Sequence, residues 1–272
     1  MGRTRRRVTA MSFDVDSVPF PWIRRELGFE RELARGNRGA AVECVQEWLT
    51  LNGVAVVVDG RFGPATEYAV RRFQGRRDLE PTGVVDEASF AELTAPLRLA
   101  LEPPARRASS IEAAVVDAAR RHLRQRPREV GGANRGPWVR TYMEGNDGPG
   151  FLWCAGFAAL LVRQAAFHCG LPDPLRPTFS CDVLARDAQN EGRFVPGDET
   201  ELDTLPRGSL FVQRRSPGDW NHTGVVIAAM GEVMETIEGN TNEGGDREGF
   251  EVCRRIRSLE NKDFVTLQPL RA

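Results

Sequence analysis

One cysteine of the sequence stands where a nucleophile could be activated. Cys154 lies in the apolar stretch GFLWCAGFAALLVRQAAFHCG, and apolar residues recur after it at helical spacing until Gly170. Glycine followed by Pro172 is typical of a helix end. A thiol in the first turn of a helix lies at the positive end of the peptide dipoles, which favours the thiolate. The pattern predicts a helix headed by a reactive thiol, the alternative being a small buried apolar side chain.

A base for this thiol is available in the run HTGVVIAAM, which opens with His222 and is followed by VMETIEGN. If the two runs form a hairpin centred on Gly231, Asn240 lies opposite His222 and Glu238 lies opposite Gly224. Opposed residues share a face of the sheet, as do residues two apart on one strand. We therefore expect Glu238 and Asn240 both to flank the imidazole, and Gly224 to leave room for the Glu238 side chain.

These side chains together could carry out nucleophilic catalysis. His222 can take the thiol proton and return it to a leaving amine, while a carboxylate or amide fixes the tautomer of its ring. We expect Cys154, His222, Glu238 and Asn240 to be the catalytic residues. Cys181, which also stands near a predicted helix start, is the alternative nucleophile, although its sequence surroundings offer no comparable setting.

Composition excludes several other classes of protein. The chain has 272 residues, of which 41% are hydrophobic and 28% charged, and its net charge of −1 argues against a nucleic-acid partner. An odd number of irregularly spaced cysteines argues against a disulfide framework. Because the three histidines occur without HExxH or CxxC motifs, we expect no zinc site. We expect no other metal and no cofactor.

The N-terminal sequence shows no apolar signal-peptide core, and no run reaches the roughly 18 apolar residues of a membrane span. We expect synthesis in the cytoplasm and, if the protein acts outside, release by a route other than the general secretory pathway. Four arginines lie near the start, Arg3, Arg5, Arg6 and Arg7. We interpret them as part of a disordered tail.

The chain divides into a lead-in (1–32), a small unit (33–95), a linker (96–110) and a second unit (111–272). In the small unit AVECVQ at 41–46 is echoed by AVRRFQ at 69–74, and three short helices are expected, the last capped by Asp86. The second unit begins with predicted helices at 111–125, at Cys154 and after TFSCD. It continues with five predicted strands, GSLFVQ, HTGVVIAAM, VMETIEGN, FEVCRRIR and DFVTLQPL. This order predicts an α+β fold.

The small unit resembles the peptidoglycan-binding domain common in bacterial wall enzymes. The matching residues are Gly39, Val42, Val45, Gln46, Leu49, Gly53, Asp59, Gly60, Phe62, Gly63, Thr66, Ala69, Val70, Phe73, Gln74, Gly83 and Asp86. The resemblance implies that this unit holds wall glycan or stem peptide. Most of these positions serve the fold, and the sequence does not show which residues would contact the wall.

The second unit resembles the cysteine, histidine-dependent amidohydrolase/peptidase domains, through WCAGF, GSLFVQ, NHTGVVI and ETIEGN. The resemblance implies a papain-like fold, with helices packed on an antiparallel sheet, and hydrolysis of a peptidoglycan amide bond through an acyl-enzyme. Either the bond between muramic acid and L-alanine or a bond within the peptide would be cut. Trp153, Trp220 and Asn134 would line the groove, or else serve packing and loop structure. The segment RRSPGDW stands where members of this family commonly have a shorter polar link. The width of the active-site cleft is therefore left open.

Three functions are consistent with these patterns. The first is a two-part hydrolase that binds and cuts peptidoglycan, acting as a phage lysin, a secreted toxin or a housekeeping enzyme. The second is a non-catalytic wall-binding protein with an inert papain-like domain. The third is an acyl transferase on the same fold. The sequence leaves the bond cut and the oligomeric state open.

Overall fold

The chain folds into nine helices and a six-stranded sheet within the residues described by the computed structural model, which are 13–104, 106, 108–242, 244 and 248–268. The arginine-rich start lies outside them. The helices are α1 Pro21–Leu27, α2 Ala40–Leu51, α3 Pro64–Arg76, α4 Glu87–Leu93, α5 Ala95–Leu101, α6 Ile111–Gln125, α7 Pro137–Tyr142, α8 Cys154–Cys169 and α9 Cys181–Asn190. The strands are β1 Phe194–Val195, β2 Leu210–Ser216, β3 Asp219–Met230, β4 Val233–Thr241, β5 Glu251–Ser258 and β6 Lys262–Val265. None of the described helices is long and apolar enough to cross a membrane.

The expected α+β class is confirmed: helices come first, and an antiparallel sheet follows with the strand order β1-β6-β2-β3-β4-β5. Helix α8 packs against the middle strands β3 and β4, and α9 packs against β3. The two-residue strand β1 is absent from the sequence prediction, because so short a run carries no period.

The small unit consists of α2, α3 and α4 around a common core. The apolar faces of the first two helices are fully or nearly fully buried, and they comprise Val42, Val45, Leu49, Ala69, Val70 and Phe73. Asp86 caps α4 by accepting a hydrogen bond from the backbone N–H of Ser89 at 2.8 Å. The predicted three-helix arrangement and its cap are both present.

The internal echo ends each time in a buried glutamine, and the structure shows why. Gln46 at the end of AVECVQ accepts hydrogen bonds from the backbone N–H groups of Asp59 and Gly60, at 3.0 and 2.9 Å. Its amide nitrogen donates to Asp59 Oδ1 and to the hydroxyl of Thr66 at the start of α3. Gln46 thus holds the turn between α2 and α3.

Gln74 at the end of AVRRFQ holds the next turn in the same way. It accepts from the N–H of Gly83 at 2.9 Å and donates to the hydroxyl of Ser89 in α4, also at 2.9 Å. Only 1% of either glutamine is exposed. In each repeat the buried polar groups of the turn therefore bond to the glutamine side chain instead of to water. The echo is a structural device of the fold.

The segment predicted as a linker, 96–110, is helical over its first part. Helix α5 occupies it, and Leu97, Ala100 and Leu101 are buried. Ala100 and Leu101 lie three and four positions after Leu97, as on one face of a helix, whereas the linker prediction rests on the prolines and arginines that follow them. The carbonyl of Ala100 accepts a hydrogen bond from Gln164 of α8 at 2.8 Å, so α5 is tied to the second unit.

The lead-in and the small unit both pack against the second unit. Helix α1 packs on α7, and Trp22 donates from its ring nitrogen to the carbonyl of Thr141 at 2.9 Å. Trp48 of α2 meets Trp138 of α7 edge to face, with ring centroids 6.0 Å apart. Buried apolar residues of both units therefore form one continuous core.

Arg140 of α7 lies at the centre of this junction. Its guanidinium contacts Glu26 at 2.9 Å, Glu47 at 2.6 Å and Asp147 at 3.0 Å. The side chains of Glu26 and Glu47 are only 8% and 7% exposed, so each carboxylate depends on Arg140 for its charge partner. The guanidinium of Arg140 therefore pairs with one carboxylate from each of the lead-in, the small unit and the second unit.

The hairpin between β3 and β4 differs from the predicted one at its tip. Its turn is Gly231-Glu232, with Met230 opposite Val233, so it is not centred on Gly231. The register shifts by one residue between Val226 and Ala228, which indicates a β-bulge. Beyond the bulge Gly224 lies opposite Glu238, the predicted pairing, because the two departures cancel.

Replacing Arg140 tests whether the junction stabilises the whole fold. We expect Arg140→Met to lower the free energy of unfolding by about 3–5 kcal/mol, because two buried carboxylates lose their counter-charge. Urea denaturation followed by circular dichroism measures this change. Arg120→Met, at an exposed position of α6, is the control and should change stability by less than about 0.5 kcal/mol. Equal stability of the two variants would contradict the proposed role.

Candidate active site

The structure brings three of the four expected catalytic residues together at the junction of helix α8 and the sheet. Cys154 is the first residue of α8, His222 lies on β3 and Glu238 lies on β4. All three are buried, with 6%, 3% and 0% of their surface exposed. Apolar packing around α8 and the two strands thus fixes the relative positions of a thiol, an imidazole and a carboxylate.

Glu238 is held as an anion from three sides. One of its oxygens lies 2.9 Å from His222 Nε2, and Arg257 of β5 donates to both oxygens, at 2.9 and 2.6 Å. The hydroxyl of Thr236 donates to Oε1 at 2.5 Å. Burial alone would raise the pKa of this carboxyl, but Arg257 and His222 outweigh it and lower the pKa to about 2.

The imidazole of His222 lies between this anion and the thiol. Burial by itself lowers its pKa, but hydrogen bonding and charge from Cys154 and Glu238 raise it to about 9. Because Nε2 is engaged by Glu238, Nδ1 is the nitrogen left for the thiol; it is buried and has no hydrogen-bond partner among the described residues. The ring is therefore held in a charged form.

The thiol of Cys154 is shifted in the opposite direction. Its hydrogen bond with Cys181 is the largest influence and lowers the pKa of the thiol. Burial opposes this shift, and His222 and the N–H of Ala155 lower the pKa further. The pKa lies well below the ordinary value of a thiol. A thiolate beside an imidazolium is the ionisation state that this geometry stabilises.

Cys181 lies in the site, contrary to the expectation that its surroundings offer nothing comparable. Its sulfur is 3.9 Å from that of Cys154, and 7% of its surface is exposed. The cause is tertiary: α8 and α9 both begin at a cysteine, and the two helix starts meet against β3. Local sequence carries no signal for that meeting.

The structure differs from the prediction in the hydrogen bonds of Asn240: its side chain bonds to the backbone of other segments, and the imidazole of His222 bonds to Glu238. The backbone of Asn240 has φ +55, in the left-handed region, and the β3–β4 pairing ends at Glu238. Its side-chain oxygen accepts from the backbone N–H of Trp153 at 2.8 Å, and its nitrogen donates to the carbonyl of Gly249 at 2.7 Å. Asn240 therefore anchors the backbone immediately before Cys154.

The three residues expected to line the groove are buried in the domain. Trp153 is fully buried and stacks on Tyr142, with centroids 5.4 Å apart. Asn134 donates to the carbonyl of Pro149 at 3.2 Å, which holds a loop. Trp220 donates from its ring nitrogen to Asp263 at 2.7 Å. These contacts are those expected of residues that serve packing and loop structure, which is the alternative to lining the groove.

Two apolar side chains near the nucleophile are instead exposed. Leu152 and Phe179 are 39% and 42% exposed, and each lies two residues before one of the paired cysteines. The sequence patterns also did not reveal Arg257, the ion-pair partner of Glu238. Its only sequence signal is the regular alternation of FEVCRRIR, and the pairing of β5 with β4 does not follow from that alternation.

Comparison with known families bears on the small unit. Residues 38–93, which span α2 to α4, match the family model described as "Putative peptidoglycan binding domain". This segment is a peptidoglycan-binding domain. The match supports peptidoglycan as a partner and relates the protein to the bacterial cell wall. No model of the cysteine, histidine-dependent amidohydrolase/peptidase domains matches the second unit, and a search of curated proteins finds no significant match.

Gly224 tests the contact between Glu238 and His222 without any assay of activity. A Cβ at this position would lie 2.7 Å from Glu238 Cγ and 2.9 Å from the ring of Phe211. We expect Gly224→Ala to move the carboxylate away from the imidazole and to lower the pKa of His222 from about 9, measured by NMR titration. Gly150→Ala is the control, because a Cβ there has no neighbour within 4 Å. An unchanged pKa in Gly224→Ala would contradict this account of the contact.

Proposed function

We propose that the protein is a peptidoglycan hydrolase that cleaves an amide bond of the cell wall through the Cys154 thiolate. The observation that carries the proposal is the hydrogen bond of buried His222 to Glu238, beside a Cys154 thiol whose pKa His222 helps to lower, in a chain that also contains a peptidoglycan-binding domain. The resemblance of the second unit to the cysteine, histidine-dependent amidohydrolase/peptidase domains supports the same reaction. The target is either the muramoyl–L-alanine bond or an amide within the peptide.

The proposed reaction uses each side chain in the position it occupies. The thiolate attacks the amide carbonyl, and the backbone N–H of Cys154 in the first turn of α8 is placed to stabilise the developing oxyanion. The imidazolium of His222 gives its proton to the leaving amine, which leaves an acyl-enzyme, and then takes a proton from the attacking water. Glu238 holds the ring in place and stabilises its positive charge throughout.

Substrate would reach the sulfur past the exposed apolar pair Leu152 and Phe179. Their side chains offer contact area for the methyl groups of alanine residues in the stem peptide, in place of the buried Trp153 and Trp220. The binding domain raises the local concentration of substrate without taking part in the chemistry.

Removing the nucleophile tests the proposal. We expect Cys154→Ala to reduce dye release from labelled peptidoglycan by at least about a thousandfold, because the thiol that forms the acyl-enzyme is lost. Cys169→Ala, which replaces a buried cysteine at the far end of α8, is the control and should retain activity. Full activity of Cys154→Ala would show that the mechanism is wrong.

A second candidate, a wall-binding protein with an inert papain-like domain, is favoured by one observation. The nucleophile and the base are only 6% and 3% exposed, which leaves substrate a narrow approach. Sedimentation with purified sacculi separates the candidates. Binding by wild type and Cys154→Ala, with no soluble product from wild type at any pH, would establish the inert binder.

The pH dependence of the reaction follows from the charges of the site. The leaving amine needs the proton of His222, so activity should fall as pH rises through about 9, the pKa of that ring. Because Glu238 raises this pKa, Glu238→Gln should move the alkaline limb of kcat/KM to lower pH by roughly one unit or more. Glu235→Gln on the same strand is the control, since Glu235 pairs with Arg254 at 3.0 Å instead. Coincident alkaline limbs for wild type and Glu238→Gln would contradict the assignment.

A further inference from the structure

Two helices begin with a cysteine and meet at their starts. Cys154 heads α8, Cys181 heads α9, and their sulfur atoms are 3.9 Å apart. This separation is within hydrogen-bond range for two sulfur atoms. The mechanism proposed above uses Cys154 alone, which leaves the second thiol without a role.

The start of α9 is fixed in this position by contacts on both sides of Cys181. Ser180 caps the helix by accepting from the backbone N–H of Val183 at 3.3 Å. Asp182 accepts from the backbone N–H of Trp220 at 2.6 Å, which ties α9 to β3 two residues before His222. The second thiol, the first thiol and the imidazole are therefore held by one arrangement of backbone.

Each charged group around the pair favours a particular location for the proton. The imidazolium of His222 is paired with Glu238, which is itself paired with Arg257. Its positive charge favours the thiolate at Cys154. Cys181 has the carboxylate of Asp182 beside it, and it has the sulfur of Cys154 as its partner. The pKa of Cys181 is raised well above its ordinary value, first by its hydrogen bond with Cys154 and then by burial.

We propose that Cys181 is a catalytic residue whose thiol donates a hydrogen bond to the sulfur of Cys154 and holds that sulfur as the thiolate. The inference rests on the proposed function, because it assigns Cys154 as the nucleophile. It makes the site one of two thiols with unequal tasks: one carries the negative charge and one keeps its proton. A hydroxyl could supply the same donor, whereas an alkyl group could not.

The same contacts exclude an exchange of roles between the two cysteines. The imidazolium of His222 interacts with Cys154 and favours a negative charge there, whereas a carboxylate lies beside Cys181 and disfavours one. Attack by Cys181 would place the anion next to Asp182 and away from His222. Cys181 thus supports the nucleophile and does not replace it.

The test measures the reactivity of Cys154 without any peptidoglycan. The full-length chain is alkylated with iodoacetamide across a pH series, and mass spectrometry of the peptide that contains Cys154 gives its rate of modification. Wild type is compared with Cys181→Ala, which removes the donor, and with Cys181→Ser, which keeps one. Cys169→Ala is the matched control, since it removes a buried thiol of α8 about 22 Å along the helix axis from Cys154.

We expect the alkylation midpoint of Cys154 to move to higher pH in Cys181→Ala. The rate on the acid limb should then fall roughly tenfold for each pH unit by which the midpoint rises. Cys181→Ser should lie closer to wild type, and Cys169→Ala should coincide with it. A Cys181→Ala profile that coincides with wild type would overturn the proposal, as would faster modification of Cys181 than of Cys154 in wild type. Because no turnover is measured, failure of this test is distinct from failure of the hydrolase proposal.

If Cys181→Ala does not fold, as judged by circular dichroism, the serine variant and a direct measurement decide. Ultraviolet absorbance of the thiolate, titrated in wild type, Cys181→Ser and Cys154→Ala, gives the ionisation of Cys154 by difference. Retention of a low titration midpoint in Cys181→Ser supports the donor role. Absence of any Cys154-dependent thiolate signal below the ordinary thiol range in wild type would contradict it.

Discussion

The buried carboxylate of Glu238 is the constraint on which the rest of the site depends. A fully buried anion is costly unless it is paired, and here Arg257, His222 and Thr236 together satisfy its oxygens. Its charge makes it favourable for the imidazole, which is also buried, to carry a proton. The charged imidazole in turn favours the thiolate at Cys154. The sheet thus contributes to the ionisation of the thiol, together with Cys181 at the start of α9.

Backbone geometry delivers this carboxylate to the imidazole. The bulge in β3 offsets the short turn at Gly231-Glu232, so that Glu238 and His222 lie on the same face of the sheet. A one-residue slip would have placed Glu238 on the opposite face. Gly224 supplies the space that the Glu238 side chain occupies, and Asn240 fixes the backbone ahead of the nucleophile. Irregular positions of the hairpin therefore serve the geometry of the site.

Much of the fold is predictable from sequence because its elements carry strong local periods. The helices headed by Ile111 and Cys154 and the long strands β3 and β4 follow the apolar pattern closely. What is not predictable depends on distant segments. The Arg257 partner requires the β4–β5 register, and the contact of Cys181 with Cys154 requires two helix starts to meet. The hairpin rule places Asn240 opposite His222, whereas the observed pairing of β3 with β4 ends at Glu238 and Asn240 has a left-handed backbone.

The proposed cleavage of a peptidoglycan amide bond can be tested by identifying the bond itself. Purified sacculi digested with the full-length protein and analysed by mass spectrometry would show which linkage is hydrolysed. We expect soluble fragments with a new free amine and a new carboxyl group, absent from digests with Cys154→Ala. Fragments cut only at glycosidic bonds, or sacculi left intact by a folded wild-type protein across the pH range, would contradict it.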